Sequence, residues 1–63
     1  MASSREIIKK LEAEGWYEVN QEGSHKQFKH PDKAGRVTVP HPKKDIKTGT
    51  LRSIERQAGT KLR

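Results

Sequence analysis

Trp16-Tyr17-Glu18-Val19-Asn20-Gln21-Glu22-Gly23-Ser24-His25-Lys26-Gln27-Phe28-Lys29-His30 is the stretch on which the fold turns. Residues 16–21 alternate as a strand does, with Tyr17 and Val19 on one face. Glu22-Gly23 is a two-residue turn in this reading, and Gly23 supplies the positive φ that a tight hairpin needs. Residues 24–30 are the return strand. If Gln21 pairs with Ser24, Tyr17 lies opposite Phe28 and both point into a core. Glu18, Asn20, His25 and Gln27 then share the other face, with Trp16 beside them. This parity is decisive, because a slip of one residue would bury His25.

Working outward, Ser3 followed three residues later by Glu6 fits a capping box. Ile7, Ile8 and Leu11 form an apolar stripe at helical spacing, and Gly15 suits a left-handed helix stop. On the other side, residues 31–35 are a turn by composition, and residues 36–39 make a third strand with Val37 and Val39 facing inward. Pro40-His41-Pro42 ends it, since proline donates no ladder hydrogen bond. A basic connector over 43–47 leads to a last helix over 48–58. Thr48 is its expected cap, Leu51, Ile54 and Ala58 its buried stripe, and Gly59 its end. Residues 61–63 read as a short tail. The expected architecture is α+β: one domain over residues 1–63, ordered αβββα. Two helices lie on one face of a three-stranded antiparallel sheet, and the other face is open.

Composition narrows the function. A chain of 63 residues has a thin core and little room for an enclosed ligand cavity, so function is expected on a surface. Cysteine is absent, which excludes thiolate chemistry and disulfides. No apolar run has membrane-spanning length, and the start of the chain lacks a signal-like stretch, so a cytoplasmic location is expected. Residues 1–25 hold three basic and five acidic side chains, whereas residues 26–63 hold eleven basic and three acidic ones. Such asymmetry points to a polyanionic partner, and nucleic acid is the expected one.

Among the side chains that could carry chemistry, His25 stands out by its expected projection from the open face. Imidazole exchanges protons near neutrality. In RNA cleavage a base removes the 2′-hydroxyl proton, this oxygen attacks the adjacent phosphorus, and nearby cations stabilise the charge that develops. Lys26, Lys29, Arg36, Lys43, Lys44 and Lys47 are the expected phosphate contacts, with Lys33, Arg52 and Arg56 as further cations. Ser24 could contact a phosphate or simply complete the turn. It is not paired with His25 as a nucleophile, because adjacent strand residues point to opposite faces. His30 and His41, each beside a proline, are further acid, base or loop candidates. The histidines lack i, i+4 spacing, so no metal site and no cofactor are expected.

These residues together resemble the HicA family of toxin ribonucleases from bacterial toxin–antitoxin pairs. The resemblance begins with Ser4-Arg5-Glu6-Ile7-Ile8-Lys9-Lys10-Leu11 and Gly15-Trp16. Its most specific part is Gly23-Ser24-His25-Lys26-Gln27-Phe28, similar to the family's Gly-Ser-His-x-x-Phe signature. Val37-Thr38-Val39-Pro40, Gly49-Thr50-Leu51-Arg52-Ser53-Ile54 and Gln57-Ala58-Gly59 complete it. The resemblance implies a fold like that of double-stranded-RNA-binding domains. It also implies an endoribonuclease (mRNA interferase) that cuts messenger RNA and inhibits growth, neutralised by a HicB-type antitoxin. The family's catalytic histidine falls on His25, and the signature's glycine and serine fall on Gly23 and Ser24. With no metal motif in the sequence, His25 is expected to act as general base in metal-independent cleavage. The alternatives are a non-catalytic double-stranded-RNA-binding module, since fold and charge serve duplex recognition equally well, and an adaptor whose only partner is a protein.

Overall fold

The structure, a computed structural model, describes residues 2–62, so Met1 and Arg63 lie outside the described residues. Five elements follow one another: α1 (Ser4–Ala13), β1 (Tyr17–Glu22), β2 (His25–His30), β3 (Lys33–Pro40) and α2 (Thr48–Ala58). The strands form one antiparallel sheet in the order β1-β2-β3. This is the αβββα arrangement expected from the sequence.

The helix stops and starts have local causes. Ser3 caps α1 through a complete capping box with Glu6. The Glu6 carboxylate accepts from the Ser3 backbone N–H and hydroxyl, both at 3.0 Å. Those bonds hold its pKa below the usual carboxylate value. Gly15 follows the end of α1 at φ 99°, and Gly59 caps α2 at φ 70°. The cap of α2 differs from the expectation: Lys47, not Thr48, is the N-cap, and no side chain caps that end.

One core joins both helices to one face of the sheet. Ile7 and Leu11 of α1 and Leu51, Ile54 and Ala58 of α2 pack with Trp16, Phe28, Val37 and Val39. Ile8 is only half-buried beside them. Two members were not foreseen. Ile46 of the connector is buried, with its backbone bridging to Ala2. Leu62, expected in a tail, is also buried. Its N–H donates to Glu55 Oε2 at 2.8 Å, and its carbonyl accepts from Lys10 Nζ at 3.0 Å.

The hairpin register departs from the expected one, and the difference decides which side chains meet solvent. The turn is Gly23-Ser24, with Glu22 pairing His25, Gln21 pairing Lys26 and Asn20 pairing Gln27. Gly23 alone has positive φ there, at 56°, which is the pattern of a turn with glycine first. Moving the turn by one residue shifts each cross-strand partner by two. Faces near the turn are therefore unchanged, and His25 stays opposite in parity to Phe28.

Beyond Asn20 a β-bulge intervenes: Glu18 pairs Phe28 and Tyr17 pairs Lys29, leaving Val19 as the extra residue. A bulge reverses the alternation beyond it. Tyr17, expected in the core, is consequently 50% exposed, and Val19 is 40% exposed. Trp16, expected beside His25, is buried in the core. Glu18 moves to the helix-side face, where it bonds Lys26 at 2.8 Å. The third strand also begins earlier than expected. Pro31-Asp32 forms the turn, and Lys33–Pro40 is strand, with an irregularity between Phe28 and His30 absorbing the residues around Gly35.

Candidate active site

His25 is the first residue of β2, directly after the Gly23-Ser24 turn, and is exposed. Its cross-strand partners are Glu22 and Pro40. The open face thus carries Tyr17, Asn20 and Glu22 from β1, His25, Gln27 and Lys29 from β2, and Thr38 and Pro40 from β3. Two further bonds organise this face. Arg36 Nη1 donates to Gln27 Oε1 at 2.7 Å, and Asn20 Nδ2 donates to Glu22 Oε1 at 3.3 Å.

At the end of β3 the face opens into a cleft of about 410 Å³. Its lining is His25, Thr38 and Pro40 from the sheet, Lys43, Ile46 and Lys47 from the connector, and Thr50 from α2. Two lysines therefore share the lining of this cleft with His25. A third positive contribution comes from α2 itself. Its N-cap Lys47 makes no capping side-chain bond, and no acidic residue stands in its first turn. The partial positive charge of a helix start is thus left uncompensated beside the cleft.

The three histidines have separate situations. His30 Nε2 donates to the Glu14 carbonyl at 2.8 Å, and its Nδ1 accepts from the Asp32 N–H at 3.0 Å. With its ring edge-on to Trp16 at 5.3 Å, it ties the end of α1 to the β2–β3 turn. His41 Nδ1 shares a 2.8 Å bond with the hydroxyl of buried Ser4, which also accepts from the Lys43 N–H at 2.9 Å. The His41 N–H donates to the Ser24 carbonyl at 2.7 Å, extending the ladder past Pro40 and bracing the turn before His25. Among the described residues nothing hydrogen-bonds the His25 imidazole.

The expected phosphate contacts do not converge on one place. Lys43 and Lys47 meet His25 in the cleft. Lys29 and Arg36 lie further along the open face. Lys44 instead lines a second cleft with Ser3, Ser4, Arg5, His41, Pro42 and Lys43, beside the start of α1. Lys26 points to the helix side with its charge paired to Glu18. Lys33 is structural: Nζ donates to the Ala58 carbonyl at 3.1 Å and stands 5.9 Å from the Trp16 ring centre. Arg52 and Arg56 are exposed on α2. Gly23 serves backbone conformation, since a Cβ there would meet nothing within 4 Å. No group of three metal-ligating side chains occurs among the described residues, nor is any helix there long and apolar enough to cross a membrane.

Sequence reasoning missed Thr38, Pro40, Ile46 and Thr50 as cleft residues. The parity of β3 could have placed Thr38 and Pro40 on the His25 face. The path of the connector, which brings Ile46 and Thr50 there, has no comparable signal.

The model of the HicA toxin of bacterial toxin-antitoxin pairs matches residues 4–60. The chain belongs to the HicA toxin family. A chain solved in a "HicA3 and HicB3 toxin-antitoxin complex" is 38% identical, with a TM-score of 0.83 over 98% of this chain and 100% of that one. A chain of a toxin-antitoxin complex from Streptococcus pneumoniae is 28% identical, with a TM-score of 0.74 over 90% of this chain and 95% of that one. No curated protein matches. The family match takes in the whole hairpin that carries His25 and every residue lining the His25 cleft.

Proposed function

We propose that this HicA chain is an endoribonuclease acting on messenger RNA, with His25 as general base. The observation that carries the reading is His25 itself: an imidazole without a protein partner, facing a cleft bordered by Lys43 and Lys47. Family membership supports the toxin role.

In the mechanism, RNA lies along the open face with its scissile phosphate in the cleft. His25 takes the proton from the ribose 2′-hydroxyl. The 2′-oxygen forms a bond to phosphorus as the bond to the 5′-oxygen breaks, and that oxygen acquires a proton from water. The products are a 2′,3′-cyclic phosphate and a 5′-hydroxyl end. Negative charge builds on the phosphoryl oxygens in the transition state. Lys43, Lys47 and the uncompensated start of α2 stand where they stabilise it, and such preorganised charge is commonly the largest catalytic contribution. Ser24, Lys29 and Arg36 hold flanking phosphates, with Lys44 further along the strand. The partner that restrains the toxin is a HicB-type antitoxin, by analogy with the complex of the 38%-identical relative.

The test is incubation of purified wild type and His25→Ala with messenger RNA, with product ends identified chemically. Wild type should yield 5′-hydroxyl and cyclic-phosphate ends, and the folded His25→Ala protein should yield none. Full activity in His25→Ala removes the histidine assignment. RNA that shifts in mobility without new ends leaves a binding module in place of an enzyme.

A further inference from the structure

Among the described residues the Tyr17 side chain makes no hydrogen bond or ring contact. It is a large ring, 50% exposed, on the same sheet face as His25. Its cross-strand neighbours on this face are polar and cationic, while Val19, the other exposed large hydrophobic, stands two residues along β1. Lys29 is its cross-strand partner, Gln27 and Asn20 lie between it and the cleft, and Arg36 bonds Gln27. A protein-binding patch has an apolar centre depleted of charge, and this ring is bordered by an ammonium group instead. The bulge at Val19 strengthens the contrast, because the reversal that brings Tyr17 onto this face also removes Glu18, which pairs with Lys26 on the other side. Glu22 is the carboxylate on this face, and it stands at the turn end, bonded by Asn20.

We propose that Tyr17 is a base-stacking residue for single-stranded RNA, setting the register of the strand relative to His25. The inference rests on the ribonuclease reading above and extends it to how substrate is held. An aromatic ring beside cations on an open sheet face is a platform on which an unpaired base stacks while its phosphates meet the cations. Lys29 is four residues from His25 along β2, about 13 Å at the rise of a strand. The stacked base therefore belongs to a nucleotide a few positions from the scissile phosphate. Stacking is indifferent to base identity, so Tyr17 contributes affinity and register without selecting a sequence.

The experiment measures binding of a short mixed-sequence single-stranded RNA to the full chain, with His25→Ala present to prevent turnover. Adding Tyr17→Ala should weaken binding about 5- to 150-fold, the range for loss of one base–aromatic stack, whereas Tyr17→Phe should stay within about twofold. Thermal unfolding should place both variants near their parent, since the side chain is half exposed. An abasic nucleotide walked along the RNA supplies the discriminating readout. At one position it should weaken binding to the Tyr17 parent and leave the Tyr17→Ala protein unaffected. RNA affinity unchanged by Tyr17→Ala overturns the proposal, as does a loss that no abasic position reproduces. Tyr17→Ala that spares RNA binding but weakens antitoxin binding reassigns the ring to a protein interface. If the parent binds no RNA and wild type cuts none, the ribonuclease reading fails and Tyr17 stacking fails with it. Cleavage by wild type with Tyr17 indifferent removes only the stacking role.

Discussion

Replacing Gly15 with alanine should destabilise the protein severely for two reasons that can be separated. The backbone there has φ 99°, a region in which L side chains are strained, and left-handed conformation costs a non-glycine residue about 1–2 kcal/mol. The added Cβ would also stand 2.7 Å from His30 Nε2 and 3.3 Å from its Cδ2. The ring must move, and with it goes the bond to the Glu14 carbonyl, a net loss of about 1 kcal/mol. Together these come to about 2–3 kcal/mol. A chain of this length has roughly 3–9 kcal/mol in total, so the melting temperature should drop by about 8–24 °C. Trp16, the single tryptophan, is buried against His30 and reports the transition by fluorescence. In a double-mutant cycle, His30→Ala should cost less in the Gly15→Ala background than alone, because the clash is then gone. Gly15→Ala within about 0.5 kcal/mol of wild type would refute the reasoning, and additive costs would refute its steric half. Cleavage per folded molecule should survive, since His30 and His25 occupy opposite ends of β2.

Two further outcomes follow from the helix starts. Lys47→Ser supplies the cap that α2 lacks, so stability should rise by about 0.5–1 kcal/mol while RNA affinity falls and its salt dependence becomes shallower; urea melts and binding titrations at two salt concentrations check both. At the other helix, the Glu6 carboxyl has its pKa lowered by the Ser3 backbone and hydroxyl. A lowered folded-state pKa means stabilisation present above the unfolded value and lost as pH falls through the folded one. Ser3→Ala keeps the backbone N–H but removes the hydroxyl contribution, so it should destabilise α1 at neutral pH and progressively less in acid, as melts across that range would reveal.

The helices were legible because their signals are local. Ser3 with Glu6, Gly15, Gly59 and the two apolar stripes act within a few residues of chain, and each is found where expected. The hairpin was legible only in part. Gly23 announces a turn, but glycine fits either central position of a two-residue turn, so its offset was open. The bulge left no mark at all, because Val19 continues the alternation of Tyr17 as a regular strand would. Only the pairing with β2 reveals that Val19 is the extra residue. Trp16 and Tyr17 were exchanged between faces for that reason alone. The parity of His25 escaped the error because it lies on the turn side of the bulge, three positions from Phe28 within one uninterrupted strand. The cleft required tertiary knowledge, as Ile46 and Thr50 reach it through a connector without periodic pattern.

Strand β2 shows how so small a chain keeps an open polar face without losing its fold. Its helix-side residues are all committed: Lys26 to Glu18, Phe28 to the core, His30 to Glu14 and Asp32. Its open-face residues, His25, Gln27 and Lys29, contribute no buried contact to that core. Substitutions away from buried or networked positions usually change stability by no more than about 0.5 kcal/mol. The open face can therefore hold unbonded polar and cationic groups that the core could not tolerate. Separation by parity also gives a loss of cleavage in His25→Ala its meaning, because the substitution removes the imidazole without touching the packing. The same logic applies to Tyr17. A ring that the bulge has taken out of the core can be removed at little cost to folding, so whatever it does for RNA is readable directly in binding.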